Sequence, residues 1–396
     1  MLRNRLASNN ACSTALVRQC LFVPLVGSLV WFTAVRASAQ GQASEPFGKV
    51  LARTTVVERQ TSGYEAFRIP LILRAPNKDL LVFCEARRTE SDYGNIDIVM
   101  FRSEDGGASW GPLRVLVDHG DDTACDIAGV VKDDQIHLFF QKRPGGRSFN
   151  DYTKGKANDA TGHHMVSKDS GKQWSEPTDI TDEILPERHK QLPMFGPNNG
   201  IVLDSGRLVV PMYYADQRED SWTPTVIYRD KGSTEWRRAE DAIVGDNINE
   251  TAVVQLSNGD VYGVARDDSG DDDGRKRFLV SKDNAETWSH TGDLGGPVTG
   301  TSCQQSMVAL GDRVFIADPR KPNRTEGRVI SGYYEPTQPD RISWDCPPLR
   351  VTDEGFAYSS MALYEDLHLV YEKTAPQQPS YNYQALVYVR IGLQHE

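Results

Sequence analysis

Three segments of this chain follow one formula: SEDGGASW at 103–110, SKDSGKQW at 167–174 and SKDNAETW at 281–288. Each reads Ser-x-Asp-x-Gly-x-x-Trp, with Ala285 in the glycine position of the third. The pattern is that of a β-hairpin turn. The aspartate accepts hydrogen bonds from turn amides, the glycine supplies a positive φ, and the tryptophan packs beneath. Such a turn is structural rather than catalytic, but its repetition constrains the architecture. The first and second copies lie 64 residues apart and the second and third 114, close to twice that period. A degenerate copy one residue too long, YRDKGSTEW at 228–236, fills the gap, and TQPDRISW at 337–344 falls a further period on. A unit of this length corresponds to one propeller blade of four strands.

Between the turns run short β-rich stretches: IDIVMFRS, DQIHLFFQK, GRLVVPMYY, DVYGVARDD, RVFIADP and LHLVYEK. Helical periodicity is hard to find after the N-terminal forty residues. The chain therefore reads as all-β. Dividing its length by the repeat predicts a six-bladed β-propeller, four antiparallel strands per blade, as a single domain over 53–396 after a lead-in at 40–52. A β-helix and stacked sandwiches are the alternatives, and the regular spacing favours neither.

A net charge of −11 without a clustered basic face argues against a nucleic-acid partner, while leaving room for a local basic pocket that takes a small anion. Arg3, Arg5 and Arg18 precede the apolar run at 21–35, and Ala-Ser-Ala at 37–39 follows it. That order predicts a secretory signal peptide over 1–39 and a secreted or periplasmic protein. The run is shorter than the ~20 residues of a membrane span and contains proline, so no integral membrane association is expected. Cys12 and Cys20 would leave with the leader. Cys84, Cys125, Cys303 and Cys346 form neither a disulfide framework nor a zinc spacing, although one incidental bridge is allowed.

The stretch GYEAFRIPLI, 63–72, sets Arg68 inside what otherwise reads as a buried strand. FRIP at 67–70, followed by turns of the Asp-box type, resembles the sialidase (neuraminidase) family of exo-acting glycoside hydrolases, from about Arg53 to Arg390. The resemblance implies an exo-alpha-sialidase acting on sialylated glycoproteins, glycolipids and oligosaccharides. Sialic acid carries a carboxylate on its anomeric carbon, and converging guanidinium groups suit such an anion. By resemblance these are Arg68; Arg266, sixteen residues after Glu250; and Arg324, chosen by spacing over Arg320 and Arg328. Glu372 would be the buried partner of Arg68.

Sialidases are among the glycosidases that use tyrosine as nucleophile. A neutral phenol escapes the repulsion that a carboxylate would meet beside the sugar's own charge, but it needs a base. The resemblance implies Tyr358 as nucleophile and Glu250 as its base, with Tyr364 and Tyr371 as strand packing. It implies Asp92, twenty-four residues after Arg68, as the acid/base on a loop, whereas Asp97 alternates with Ile96 and Ile98 and belongs to a strand. Arg87, with Arg88 as the adjacent alternative, and Asp126 would contact the sugar; the family usually follows that aspartate with proline, and here Ile127 stands instead. The chemistry needs no organic cofactor and no catalytic metal.

Other signals carry less. The acidic tract DDSGDDDG at 267–274 lacks EF-hand spacing and reads as a solvated loop, with structural calcium, which the family resemblance allows, left open. His163 and His164 read as strand residues, and Asn198 and Asn199 as turn residues in preference to donors at a pocket rim. The sequons at Asn249 and Asn323 overlap Glu250 and Arg324, which disfavours glycosylation there. Three competing functions remain: a sugar-binding propeller without chemistry, transfer to a glycan acceptor, and action on a related ulosonic acid such as Kdn. The first would need the arginine clamp but not a nucleophile with its base.

Overall fold

Strands rich in Val, Ile, Leu and Phe, bounded by Gly, Asp and Asn turns, pair with their chain neighbours throughout the computed structural model. It describes residues 46–396 except 188, 241–246, 269–275, 294–297, 299–301, 321–323, 336–341, 346, 376–381 and 395–396. The proposed leader, Cys346 and most of the acidic tract lie outside the described residues. Hydrogen bonding defines five sheets. The first has eight strands, in chain order from Ala66–Arg74 to Thr178–Asp179, with Arg114–Val117 paired at the side of Ile96–Ser103. Its two halves are joined by one parallel pair, Ile96 opposite Thr123. Three further antiparallel sheets follow, spanning Lys190–Arg238, Ile248–Asp293 and Ser306–Thr352.

The last sheet closes on itself in sequence. Gly48–Glu58 pairs with the C-terminal strand Tyr383–Leu393, beside Leu367–Thr374 and Gly355–Leu363. That strand begins inside the stretch read as a lead-in. Among the described residues only two short helices appear, Phe149–Thr153 and Thr181–Ile184, and no helix is long and apolar enough to cross a membrane.

Apolar layers lie between successive sheets. Phe315, Val329, Phe356 and Val387 fill one; Tyr262, Phe278, Ile316 and Ile330 fill another. Phe67, Val82 and Val99 of the first sheet pack against Val370, Leu386 and Tyr388 of the last. Burying each such side chain contributes roughly 1.5–3 kcal/mol, so the adhesion is spread around the molecule.

The repeated turns share one hydrogen-bond pattern. The Ser103, Ser167 and Ser281 hydroxyls accept from the amides of Gly107, Gly171 and Ala285 at 2.7–2.9 Å. Asp105, Asp169 and Asp283 accept the amide four residues on. The position after the turn has φ of +90°, +82° and +68° in the three copies. Trp110 packs edge-on against Tyr388 and Trp174 against Phe83. None of these residues lines the cavity around Arg68.

The turn geometry gives a sharp test. A Cβ on Gly107 would fall 2.1 Å from the Tyr388 ring at a backbone φ of +90°, whereas one on Gly106 (φ +70°) would meet nothing within 4 Å. Gly107→Ala is expected to cost about 2–4 kcal/mol and Gly106→Ala only about 1 kcal/mol, read by urea or thermal unfolding. Equal costs would refute the packing account of this turn.

Two expectations need correction. Asn198 and Asn199 are not simple turn residues. The Asn198 side chain, buried, donates to the Thr251 and Gln305 carbonyls, and Asn199 donates to Ile72 O and accepts from Ser360 Oγ at 2.6 Å. Both tie separate sheets together, a role that local turn propensity cannot reveal. Tyr371 is strand packing, stacked on Phe356, but Tyr364 lies in the turn after Gly355–Leu363, where its hydroxyl accepts the Arg74 amide. His163 and His164 do lie on a strand. Cys84, Cys125 and Cys303 are free and buried.

Candidate active site

Arg68 sits on Ala66–Arg74 where pairing with Leu80–Arg87 breaks register, between Arg68 and Leu71. The irregularity places Ile69 at φ +53°, an unfavourable conformation for a β-branched residue. Glu372 holds it there. One carboxylate oxygen accepts the Ile69 amide at 2.7 Å and Arg68 Nε at 3.1 Å; the other accepts Arg68 Nη2 at 3.3 Å and the Tyr358 amide at 3.2 Å. Glu372 has no solvent exposure and Arg68 has 6%, so this is a buried, fully hydrogen-bonded pair. The guanidinium also stacks 3.8 Å from the Tyr383 ring centroid.

Glu250 and Arg266 lie on neighbouring strands, Ile248–Gln255 and Val261–Asp267, which form a hairpin. The sixteen-residue spacing folds back so that Arg266 Nη1 meets Glu250 Oε2 at 2.9 Å. Asp268 and Ser302 hold the other side of Arg266. Arg324, at φ +58° in the connection before Gly327–Tyr334, donates to Ser302 O at 2.8 Å. Arg320 and Arg328 pair elsewhere, with Glu326 and Asp318.

Tyr358, on Gly355–Leu363, joins these groups. Its hydroxyl donates to Glu250 Oε1 and accepts from Arg266 Nη1 at 2.8 Å, and its ring lies 5.2 Å from the Arg68 guanidinium and 5.7 Å from that of Arg324. Burial, then the charge of Glu250, pushes its phenol well above the ordinary tyrosine range; Arg266 and Arg324 pull the other way. At neutral pH it is a phenol, not a phenolate.

Asp92 occupies the loop between Leu80–Arg87 and Ile96–Ser103, its side chain 42% exposed. It accepts Arg87 Nη1 at 2.5 Å and Arg68 Nη1 at 3.3 Å. Burial opposes its charge, but Arg87 and Arg68 prevail and hold its carboxyl below the ordinary aspartate range. Asp97 is buried on its strand and accepts from Tyr64. Arg88 is turned away over the Tyr64 ring, which leaves Arg87 as the pocket residue.

Asp126, at φ +52°, takes its place beside Glu85, which accepts the Asp126 amide at 2.9 Å and the Arg87 guanidinium. Burial first, then the neighbouring Glu85 charge, pushes Asp126 up to about 7. Glu85, Cys125 and Asp126 form a metal-ligand-like group among the described residues. Arg87 and Arg143 already bond to it, so its charge is met by guanidinium groups.

Arg68, Arg87, Asp92, Asp126, Glu250, Arg266, Arg324 and Tyr358 line one cavity of about 400 Å³, and Glu372 stands directly behind Arg68. Residues far apart in sequence, from Arg68 to Tyr358, thus converge: the eight named here line the cavity and Glu372 backs it. Sequence reasoning missed Glu85, Arg143, Asp268, Ser302, Tyr383 and the aromatic wall of Phe149, Tyr213 and Trp222. Strand alternation could have found Glu85 and Asp268, each two residues from a chosen arginine. The others come from distant segments and carry no local signal.

A succession of antiparallel sheets around a pocket lined by guanidinium groups and a hydrogen-bonded Tyr–Glu pair defines an all-β protein with a pocket whose charge suits an anion. A profile of the BNR repeat-like domain family matches residues 78–369, and the chain belongs to that family, in its sialidase group. It is 37% identical over 169 residues to the exo-alpha-sialidase of Aspergillus fumigatus, covering 38% of this chain and 41% of that protein. It is 23% identical over 337 residues to a sialidase of Bacteroides fragilis, covering 78% of this chain and 60% of that one. The chain thus spans about half the length of these relatives. The Trypanosoma rangeli sialidase, solved with the inhibitor DANA, superposes with a TM-score of 0.70 at 20% identity over 86% of this chain and 59% of that one. The fold is therefore that of a sialidase-type β-propeller.

Proposed function

We propose that the protein is an exo-alpha-sialidase, a glycoside hydrolase that releases terminal α-linked sialic acids from glycoconjugates with retention of configuration. The observation that carries this reading is the Tyr358–Glu250 hydrogen bond at the base of a pocket lined by Arg68, Arg266 and Arg324. The three arginines clamp the sugar carboxylate. Glu250 withdraws the phenolic proton as the Tyr358 oxygen attacks the anomeric carbon, and Asp92 protonates the leaving oxygen. Water then cleaves the glycosyl–tyrosine bond with Asp92 as base, and the proton returns from Glu250 to the phenol.

The low proton affinity of Asp92 fits this sequence. An acid must hold a proton, and the arginines that deprive Asp92 of one are groups an anionic ligand engages. A bound carboxylate neutralises Arg68 and releases Asp92 from part of that field, so substrate itself prepares the acid. Arg87 and Asp126 face the sugar hydroxyls.

We further infer six blades, counting the eight-stranded sheet as two. Leu81, Phe83 and Ile98 of its first half share one core cluster with Ile136, Leu138 and Phe140 of its second. Face-to-face packing of that kind requires two layers, and one parallel pair is all that joins them.

The direct test is release of 4-methylumbelliferone from its α-N-acetylneuraminic acid glycoside, with the product anomer followed by NMR. Turnover with the α-anomer formed first is expected. A folded protein without turnover would remove the N-acetylneuraminidase assignment, and a β-anomer formed first would remove the tyrosine mechanism.

A further inference from the structure

Asp92 stands on an exposed loop, yet the reaction requires its carboxyl at a fixed place. Its own ion pairs do not provide that, because they involve Arg87 and Arg68, groups that substrate engages. The loop backbone is instead fastened from the neighbouring segment. The Gly146 amide donates to Tyr93 O at 2.5 Å, Thr123 Oγ1 donates to Gly94 O at 2.6 Å, and Tyr93 packs edge-on against Phe149 at 5.1 Å. One contact reaches Asp92 itself: Arg143 Nη2 donates to the Asp92 carbonyl at 2.5 Å.

Arg143 is suited to this. It ends the strand Gln135–Arg143, is 1% exposed, and is anchored at its other nitrogen, where Nη1 donates to Gln141 Oε1 at 2.6 Å and to Cys125 Sγ at 3.0 Å. Its guanidinium lies 5.1 Å from the Phe149 ring centroid. A planar fork bonded on both sides transmits the position of a rigid strand to the loop; a lysine, with one point of attachment, cannot grip both ends in fixed geometry.

We propose that Arg143 is a positioning residue for proton transfer, holding the Asp92 backbone so that its carboxyl meets the leaving oxygen. The inference rests on the reading of Asp92 as the acid. It explains why a buried arginine with no role in the carboxylate clamp lies at the pocket wall, and why Cys125 and Gln141 are buried and polar beside it. A displacement on the order of 1 Å can cost 10²-fold in rate, so a backbone tether of this kind has catalytic weight.

The test compares 3′-sialyllactose, whose leaving group needs protonation, with the 4-methylumbelliferyl glycoside, whose leaving group needs little. Arg143→Met is expected to lower kcat on sialyllactose by roughly 10²-fold and on the aryl glycoside by roughly tenfold or less, with KM changed little. In an Asp92→Ala background the same substitution should change sialyllactose turnover by less than about twofold, since the group it positions is gone. Arg143→Lys, which keeps the charge with a smaller packing change, should show the same split at a melting temperature close to that of the parent. Equal losses on both substrates, or an undiminished loss in the Asp92→Ala background, would overturn the role of Arg143. Absence of any leaving-group dependence in Asp92→Ala itself would remove the acid assignment and this inference with it.

Discussion

Tyr358→Phe is expected to lower kcat on the 4-methylumbelliferyl glycoside by at least roughly 10³-fold while leaving the protein folded. The substitution removes one oxygen, bonded to Glu250 and Arg266. Glu250 keeps its other carboxylate oxygen on Arg266, and the ring keeps its place between Arg68 and Arg324. Two hydrogen bonds to charged groups are lost, but both partners stay paired with each other, so the stability cost should stay within about 1.5–3 kcal/mol, the range for one such bond. The clamp remains, so a carboxylate-bearing inhibitor should bind nearly as before, as measured by calorimetry. Turnover within about tenfold of the parent would show that this hydroxyl is not the nucleophile. Loss of inhibitor binding together with turnover would show that the substitution had damaged the pocket instead.

The second large effect concerns a residue that need not touch substrate. Glu372→Ala is expected to cost about 3–5 kcal/mol, because it leaves the buried Arg68 charge with only the partly exposed Asp92, at 3.3 Å, to meet it. It also orphans two amides, those of Ile69 and Tyr358. Ile69 is held at positive φ by that bond, and Tyr358 carries the oxygen proposed to react, so activity should fall further than stability explains. Urea denaturation supplies the first quantity and turnover under conditions where the variant is folded the second. A double substitution, Arg68→Met with Glu372→Leu, should recover much of the stability and none of the activity, since an apolar pair replaces a buried ion pair without hardship. A loss below about 1 kcal/mol in Glu372→Ala would contradict the view of Glu372 as the counter-charge of Arg68.

Legibility in the sequence followed the range of the interaction. The repeated turns could be read because Ser, Asp, Gly and Trp act within a few residues, and their period carried the all-β reading. Arg68 could be singled out because a guanidinium between Phe67 and Ile69 conflicts with its surroundings, and Glu250 with Arg266 because a hairpin brings a sixteen-residue interval together. What could not be read was contact across sheets. Asn198 looks like a turn former beside glycine and proline, and only the folded chain shows its amide bonded to Thr251 and Gln305. Tyr383 and Arg143 were likewise hidden. Nothing near Tyr383 announces that it lies under Arg68, and nothing near Arg143 announces the carbonyl of Asp92.

The pairing of Gly48–Glu58 with Tyr383–Leu393 has a consequence for biosynthesis. The first of these strands leaves the ribosome more than three hundred residues before its partner. Tyr358 and Glu372 belong to the same late sheet. Until translation passes that sheet, Arg68 waits without the buried carboxylate of Glu372 and Glu250 without the Tyr358 hydroxyl. The earlier strand, with its edge unpaired, must therefore be kept apart from other chains until its partner arrives.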